Sequence, residues 1–393
     1  MIRLIHLAAL ILLAVTVFEP ARADDSIAPE RTLSFEMRSD ILNETRRFSV
    51  RLPIGYAADP EARHHLVFVS DADWNFELVA DTLDYLAFWG RIEPMIIVGA
   101  HNTSRNRDFV PRADANFPES GGGDLYLRHL REEALPLIEA NVRSSGRRIL
   151  FGHSFGGVLA LNQLFTDPEV FDAHIALSPS TWVADRVMFE RAEAAFESGR
   201  IDAGFLYMAV AEGDGGATVP DGAAFAALFE AAAPPGLDWR YEVLPRHNHF
   251  TVVGPALHNA IEALFPFWGF DAEMIEAGRT GGAGGVHAWF DAKQAALGWR
   301  FVPQAMELGL AGHALASGGD PGAAMAVFDR LEALYPERTD TVALRAQAQA
   351  AGGDRAGAVE TLDRALELGE RTGHWRNQMT RYRQLRDRLA EGG

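Results

Sequence analysis

The sequence predicts an α/β protein with a mostly parallel, roughly eight-stranded sheet, followed by a smaller all-α domain of tetratricopeptide-like repeats. Three observations carry this. Short β-branched and apolar runs alternate with helical patterns between Leu33 and Leu244, as chains building a parallel sheet do. Strand signals stop after Phe270. Beyond that point Gly318-Gly319-Asp320 returns as Gly352-Gly353-Asp354, and Asp329-Arg330 as Asp363-Arg364. Both are shifted by 34 residues, the period of helix-turn-helix repeats of the tetratricopeptide type.

Taken in order, Met1-Ile2-Arg3 is a short positive start, Leu4 to Phe18 an apolar run, and Ala21-Arg22-Ala23 a small-x-small site. This pattern reads as a secretory signal over residues 1–23, cleaved after Ala23 and implying export to the periplasm or beyond. The run falls short of the roughly 20 residues a membrane span needs. Strands are expected at 33–37, 47–52, 66–69, 95–98, 148–151, 174–177, 205–210 and 239–244. The first two alternate polar and apolar residues, as half-exposed antiparallel strands do. The middle ones are continuously apolar, as strands covered on both faces must be. Leu125, Leu127, Leu130, Leu135, Leu137 and Ile138 make a helical stripe that Pro136 would strain. Gly281-Gly282-Ala283-Gly284-Gly285 reads as a hinge or loop. Gly312, Ala324, Phe328 and Pro336 then fit one repeat, Ala346, Ala358, Leu362 and Ala365 a looser second, and Trp375 to Leu389 a capping helix. The expected units are residues 24–270, a packing segment 271–300, and helical repeats 301–393.

Composition narrows the function classes. Across 393 residues, 36 Lys and Arg stand against 54 Asp and Glu, a formal charge of −18. Such a chain repels phosphate backbones, so nucleic acid is not an expected partner. The absence of cysteine excludes a thiol nucleophile, a thiolate metal site and any disulfide.

The chemistry centres on Gly152-His153-Ser154-Phe155-Gly156-Gly157, which follows the apolar strand Ile149-Leu150-Phe151 and precedes a helical pattern. A serine on a sharp strand-to-helix turn is lifted above the sheet, and glycines two before and two after avoid collisions there. The Phe155 N–H then faces a forming oxyanion at a helix N-terminus. Serine needs a base, and the order expected on this frame is serine, acid, histidine. His247 and His249 both follow the last strand, and Asp214, with Glu212 in reserve, follows the one before. The acid's task is to accept from the imidazole and fix its tautomer. A second oxyanion donor is expected from the backbone at Asp73 or Trp74, in the loop after the third strand. His153 reads as a buried packing residue. No metal centre and no cofactor are expected.

With these residues in view, the region from Leu33 to Phe267 resembles the esterase D and siderophore-esterase-like family of α/β-hydrolases. Besides the serine turn, the matching blocks are Phe48 to Tyr56, Asp71-Ala72-Asp73-Trp74-Asn75-Phe76, Arg105-Asn106-Arg107-Asp108-Phe109-Val110-Pro111 and Ser178-Pro179-Ser180-Thr181-Trp182. Ala72 stands where the family usually has glycine. The resemblance implies an α/β-hydrolase fold with Ser154 as nucleophile, His249 as base because Thr251 and Val252 follow it, and Asp214 as acid. Some members carry a C-terminal helical-repeat extension. Arg105 and Trp182 are candidate substrate contacts, Arg105 for an anionic or catecholate group and Trp182 for an acyl or aromatic one. Internal pairing is the expectation for Arg107 with Asp108.

The expected activity is hydrolysis of small-molecule carboxylic esters through an acyl-enzyme, with siderophore, aryl and carbohydrate esters as substrate classes. Two other readings use the same features. One is an interaction scaffold whose repeats bind a protein partner, and the other an acyltransferase using the same triad.

Overall fold

A computed structural model of the chain describes residues 31–57, 59–265, 272–297, 302–336, 338–373 and 376–391. The expected signal segment, 1–23, and Trp375 of the capping stripe lie outside the described residues. All eight expected strands form: β1 Thr32–Ser39, β2 Glu44–Arg51, β3 His64–Val69, β4 Ile96–Ala100, β5 Ser144–His153, β6 Ala173–Leu177, β7 Gly204–Ala211 and β8 Leu237–Leu244. They make one sheet in the order β1-β2-β4-β3-β5-β6-β7-β8. β1 and β2 pair antiparallel, β2 meets β4 antiparallel, and the remaining pairs are parallel.

The hydrophobic pattern explains which strands lie where. β3, β4 and β6 are buried along their whole length, with Phe68, Val98 and Leu150 packing on one face of the sheet and Val67, Ile97 and Ile149 on the other. Helices cover both faces, so these strands are almost wholly apolar, and the buried polar groups His64 and His174 are each hydrogen-bonded, to the Pro94 carbonyl and to Gln163. β1 and β8 close the two edges, and their burial is mixed.

Pro136 is accommodated by a local change of helix type. Gly123–His129 is α-helical, Leu130–Ala134 is a π-helical turn, and Leu135–Asn141 resumes as α-helix with Pro136 in its first turn. A proline near a helix start has no N–H to waste. Of the two readings of the glycine run, the hinge fits: the run lies within the helical segment Ala272–Leu297, which kinks at Gly282 (φ 60°, ψ −149°). A Cβ at Gly285 would stand 1.9 Å from the Ala277 carbonyl. The glycines therefore let two helices turn back on each other at backbone contact.

Five helices follow, Ala305–Ser317, Pro321–Leu334, Thr339–Ala351, Arg355–Thr372 and Arg376–Ala390. The turns at the two copies of Gly-Gly-Asp match. Gly319 and Gly353 have φ of 90° and 91°, and the Asp320 and Asp354 side chains cap the next helix by accepting from the N–H groups of Ala323 and Gly357. Gly312 is needed because a Cβ there would stand 2.6 Å from the Phe328 ring.

This helical region packs on the amino-terminal edge of the parallel strands. Arg338 lies 4.1 Å over the Phe88 ring, and Ala62, just before β3, joins the cluster of Val302, Leu308 and Phe328. A narrow cleft along the seam is lined by Ile54, Asp84, Phe88, Gln304, Tyr335 and Arg338. Ser154 follows the opposite end of β5. The helices thus stand away from the edge that carries the serine.

Candidate active site

The carboxyl ends of the parallel strands carry Ser154, Asp214 and His249, and the last two are in hydrogen-bond contact. Ser154 sits between β5 and the helix Phe155–Thr166 with φ 61° and ψ −118°, a conformation that costs about 1–3 kcal/mol for a side-chain-bearing residue. It persists because its surroundings hold it. Ser154 N–H donates to the Leu177 carbonyl at 2.9 Å, and its own carbonyl accepts from Val158 and Ser180. A Cβ at Gly152 would lie 1.9 Å from the Gly156 carbonyl, and one at Gly156 would lie 2.5 Å from Ser70 Oγ. The flanking glycines are therefore steric requirements.

His249 Nδ1 lies 2.7 Å from Asp214 Oδ1. Asp214 Oδ2 accepts from Ser178 Oγ at 2.7 Å and from the Ala211 N–H at 2.8 Å. Burial pushes the Asp214 carboxyl up, but the bonds from His249, Ser178 and Ala211 outweigh it and hold it below the usual carboxylate range. The acid is thus charged, with its side chain fully buried. Glu212 instead accepts from the Arg246 N–H at 3.1 Å, and His247 enters through its carbonyl, which accepts from Gly213. Of the four candidates, Asp214 and His249 are the pair whose side chains touch.

Ser154 Oγ has Ser180 Oγ at 3.5 Å as its partner among the described residues. Bonds between nucleophile and base often tighten only when substrate is bound. His153 donates from Nε2 to the His249 carbonyl at 2.6 Å, and the two rings lie 4.7 Å apart. Burial, helped by neighbouring His249, pushes His153 down to about 4. It stays neutral and braces the loop that carries His249.

The backbone N–H groups expected as oxyanion donors differ in their partners. Phe155 opens the helix after the serine. Of the two other expected donors, the Trp74 N–H is spent on the Asp71 carbonyl at 3.0 Å. This removes Trp74 as a donor, and Asp73, in the first turn of the helix Ala72–Phe88, remains.

Arg105 has a partner that the sequence does not suggest. Its Nε and Nη2 each donate to the Asp71 carboxylate at 2.7 Å, while the side chain stays 21% exposed. Arg107 pairs with Glu44 and Asp108, as anticipated. Trp182 is half-buried, donates to Thr218 Oγ1 at 3.2 Å, and lies against Phe117 and Phe155. Trp74 and Phe250 are the exposed aromatics nearby, at 68% and 78%. Ser178, Ser180, Phe117 and Asp71 were not singled out as site residues from sequence. Ser178 and Ser180 lie in the quoted Ser-Pro-Ser block, which was their only signal. Among the described residues, no cluster of metal-binding side chains occurs and no helix is long and apolar enough to cross a membrane.

Against known proteins, the model of the family described as "Putative esterase" matches residues 39–247, more than half of the chain. The chain belongs to that family. It is similar to the siderophore triacetylfusarinine C esterase of Aspergillus fumigatus, with 39% identity over 99 residues, 25% of this chain and 34% of that protein. It is also similar to the ferri-bacillibactin esterase BesA of Bacillus subtilis, with 28% identity over 162 residues, 35% of this chain and 55% of that protein. The chain thus spans about a third to a half of the length of these curated relatives. Among solved structures, an IroE-like serine hydrolase from Shewanella oneidensis superposes with a TM-score of 0.62 at 27% identity, covering 78% of this chain and 99% of that one. With such a neighbour and this strand order, the sheet and its helices are of the α/β-hydrolase type, followed by an all-helical region.

Proposed function

We propose that this esterase-family chain is an exported serine hydrolase that cleaves small-molecule carboxylic esters through an acyl-enzyme. Ser154 attacks the ester carbonyl. His249 takes its proton and returns it to the leaving alcohol, and Asp214 holds the imidazole in the right tautomer. The N–H groups of Phe155 and Asp73 stabilise the oxyanion. Water then repeats the cycle on the acyl-enzyme. The observation that carries this reading is the 2.7 Å His249–Asp214 contact on the same sheet edge as a serine held at φ 61°.

Siderophore-type esters head the substrate classes, since the relatives above are so named, and aryl and carbohydrate esters follow. In this reading residues 1–23 are an export signal, 24–270 the hydrolase unit, 271–300 a linker or packing segment, and 301–393 tetratricopeptide-like repeats with a capping helix. The test is a fluorophosphonate probe together with p-nitrophenyl butyrate. Wild-type protein reacts with both, whereas Ser154→Ala blocks labelling and lowers kcat on the order of 10⁶-fold. Hydrolysis that survives this substitution refutes the assignment.

A further inference from the structure

Two segments from different strands supply the oxyanion donors, and the chain itself does not join them. One is the first turn of the helix Ala72–Phe88, after β3; the other is the turn at Ser154 and Phe155, after β5. An oxyanion hole works only while its donors stay within a few tenths of an ångström of the developing charge. Something must therefore fix one segment against the other.

We propose that Arg105 is a positioning residue, a clamp that ties the two halves of the oxyanion hole together. The proposal rests on the serine-hydrolase reading above. The guanidinium makes a two-pronged pair with Asp71, 2.7 Å on each side, and Nη2 also donates to the carbonyl of His153 at 3.4 Å. One planar group therefore touches both the residue that starts the first segment and the residue before the nucleophile.

Asp71 shows why the clamp is needed. It caps the helix Ala72–Phe88 in a left-handed conformation, φ 56° and ψ 46°, which an L-residue resists. Its side chain is fully buried, and a buried carboxylate persists only when paired and hydrogen-bonded. Arg105 supplies two of those bonds and Asn102 a third, at 2.7 Å. A Cβ on Gly156 would lie 3.4 Å from Asp71 Oδ2, so the same carboxylate rests against the turn that follows the serine.

The clamp is itself immobilised. Its guanidinium carbon lies 5.3 Å from the Trp74 ring, 5.6 Å from Phe109 and 5.3 Å from Phe155. The short helix Arg105–Phe109 that carries it is tied down by Asp108, which pairs with Arg46 at 2.8 Å, both side chains 1% exposed. Nη1 has no hydrogen-bond partner among the described residues, so the competing role is direct capture of an anionic substrate group.

The experiment separates these roles in the full-length protein. It compares Arg105→Gln, Arg105→Lys, Asp71→Asn and the Arg105→Gln/Asp71→Asn double variant. The substrates are neutral p-nitrophenyl butyrate and anionic p-nitrophenyl hemiglutarate, with thermal melts run alongside. A clamp predicts that Arg105→Gln lowers kcat roughly 10- to 100-fold on both esters, the cost of displacing an oxyanion donor by about 1 Å, with KM within about twofold. Lysine, lacking the two-pronged fork, does not restore the rate. Asp71→Asn shows the same loss, and the double variant is no slower than the worse single one. A loss confined to KM for the anionic ester overturns the clamp in favour of substrate capture. So does an Arg105→Gln kcat within twofold of wild type. If Arg105→Gln does not fold, Asp71→Asn and Arg105→Lys carry the test, and a wild-type kcat in either overturns the clamp. Wild-type protein inert to both esters and to a fluorophosphonate removes the hydrolase reading itself, a result separate from any of these.

Discussion

The two ends of the sheet treat backbone strain in opposite ways. At the carboxyl ends of β3, β5, β6 and β8, a non-glycine residue with positive φ follows each strand: Asp71, Ser154, Ser178 and Arg246. Ala184, Asp185 and Arg186 add three more in succession, just past Trp182. In the helical region that packs on the amino ends, every positive φ among the described residues belongs to glycine, at Gly282, Gly319, Gly353 and Gly373. Each strained residue costs about 1–3 kcal/mol. One edge carries that cost for the sake of placing hydroxyls and N–H groups, and the other is built from relaxed turns and small residues in close contact. If the contrast reflects function, changes at the first edge should alter rate, and changes at the second should alter stability.

The sharpest way to break the comparison after the serine itself is at the acid. Asp214→Asn keeps the shape of the side chain but turns a buried acceptor into a partial donor facing His249 Nδ1. That favours the wrong tautomer, and kcat should drop about 10⁴-fold with little change in melting temperature. Glu212→Gln, one turn residue away and bonded to the Arg246 N–H, should leave the rate within about twofold. Equal losses at both positions, in pre-steady-state and steady-state assays of the butyrate ester, would remove the distinction between them.

How far this edge can be read from sequence follows from what each feature depends on. The strands are legible because burial on both faces forces unbroken apolar runs such as Leu66 to Val69. The serine turn is legible because its glycines answer local steric demands. The pairing of His249 with Asp214 is legible through chain order and the ends of β7 and β8. The Asp71–Arg105 pair is not, because it joins side chains 34 residues apart with no periodicity between them. That is why the sequence points Arg105 toward substrate and does not reveal its tie to Asp71. The glycines at 281–285 are legible as a break between helices, but not the close helix contact that they also permit. Pro136 signals a conflict, but not the π-helical turn at Leu130–Ala134 that precedes it.

At the other edge, Phe328 is fully buried and its ring fills the space left by Gly312. Phe328→Ala should cost about 3–5 kcal/mol, through lost burial and an unfilled cavity. Chemical denaturation should report that loss, while kcat/KM of the folded protein stays within about twofold. A proportionate fall in kcat would mean that the helical region acts on the site from across the sheet, and the contrast would fail.

The finest test returns to the strained edge, at Ser178. Its φ is 40°, its N–H donates to the Ala209 carbonyl, and its hydroxyl donates to Asp214 at 2.7 Å. A hydrogen bond to a charged group contributes about 1.5–3 kcal/mol, but Asp214 keeps the Ala211 N–H and His249 when this one is lost. Ser178→Ala should therefore slow kcat only about tenfold. It should also raise the Asp214 pKa, because one of the bonds holding the carboxylate charged is gone. The acid limb of the kcat profile should move to higher pH, since protonated Asp214 cannot accept from His249. Ser178→Gly keeps the backbone conformation accessible and should show the same shift. A tenfold loss without movement of the acid limb would place Ser178's contribution in the backbone turn and not in its hydroxyl, which is the distinction between strain that positions a group and strain that is merely tolerated.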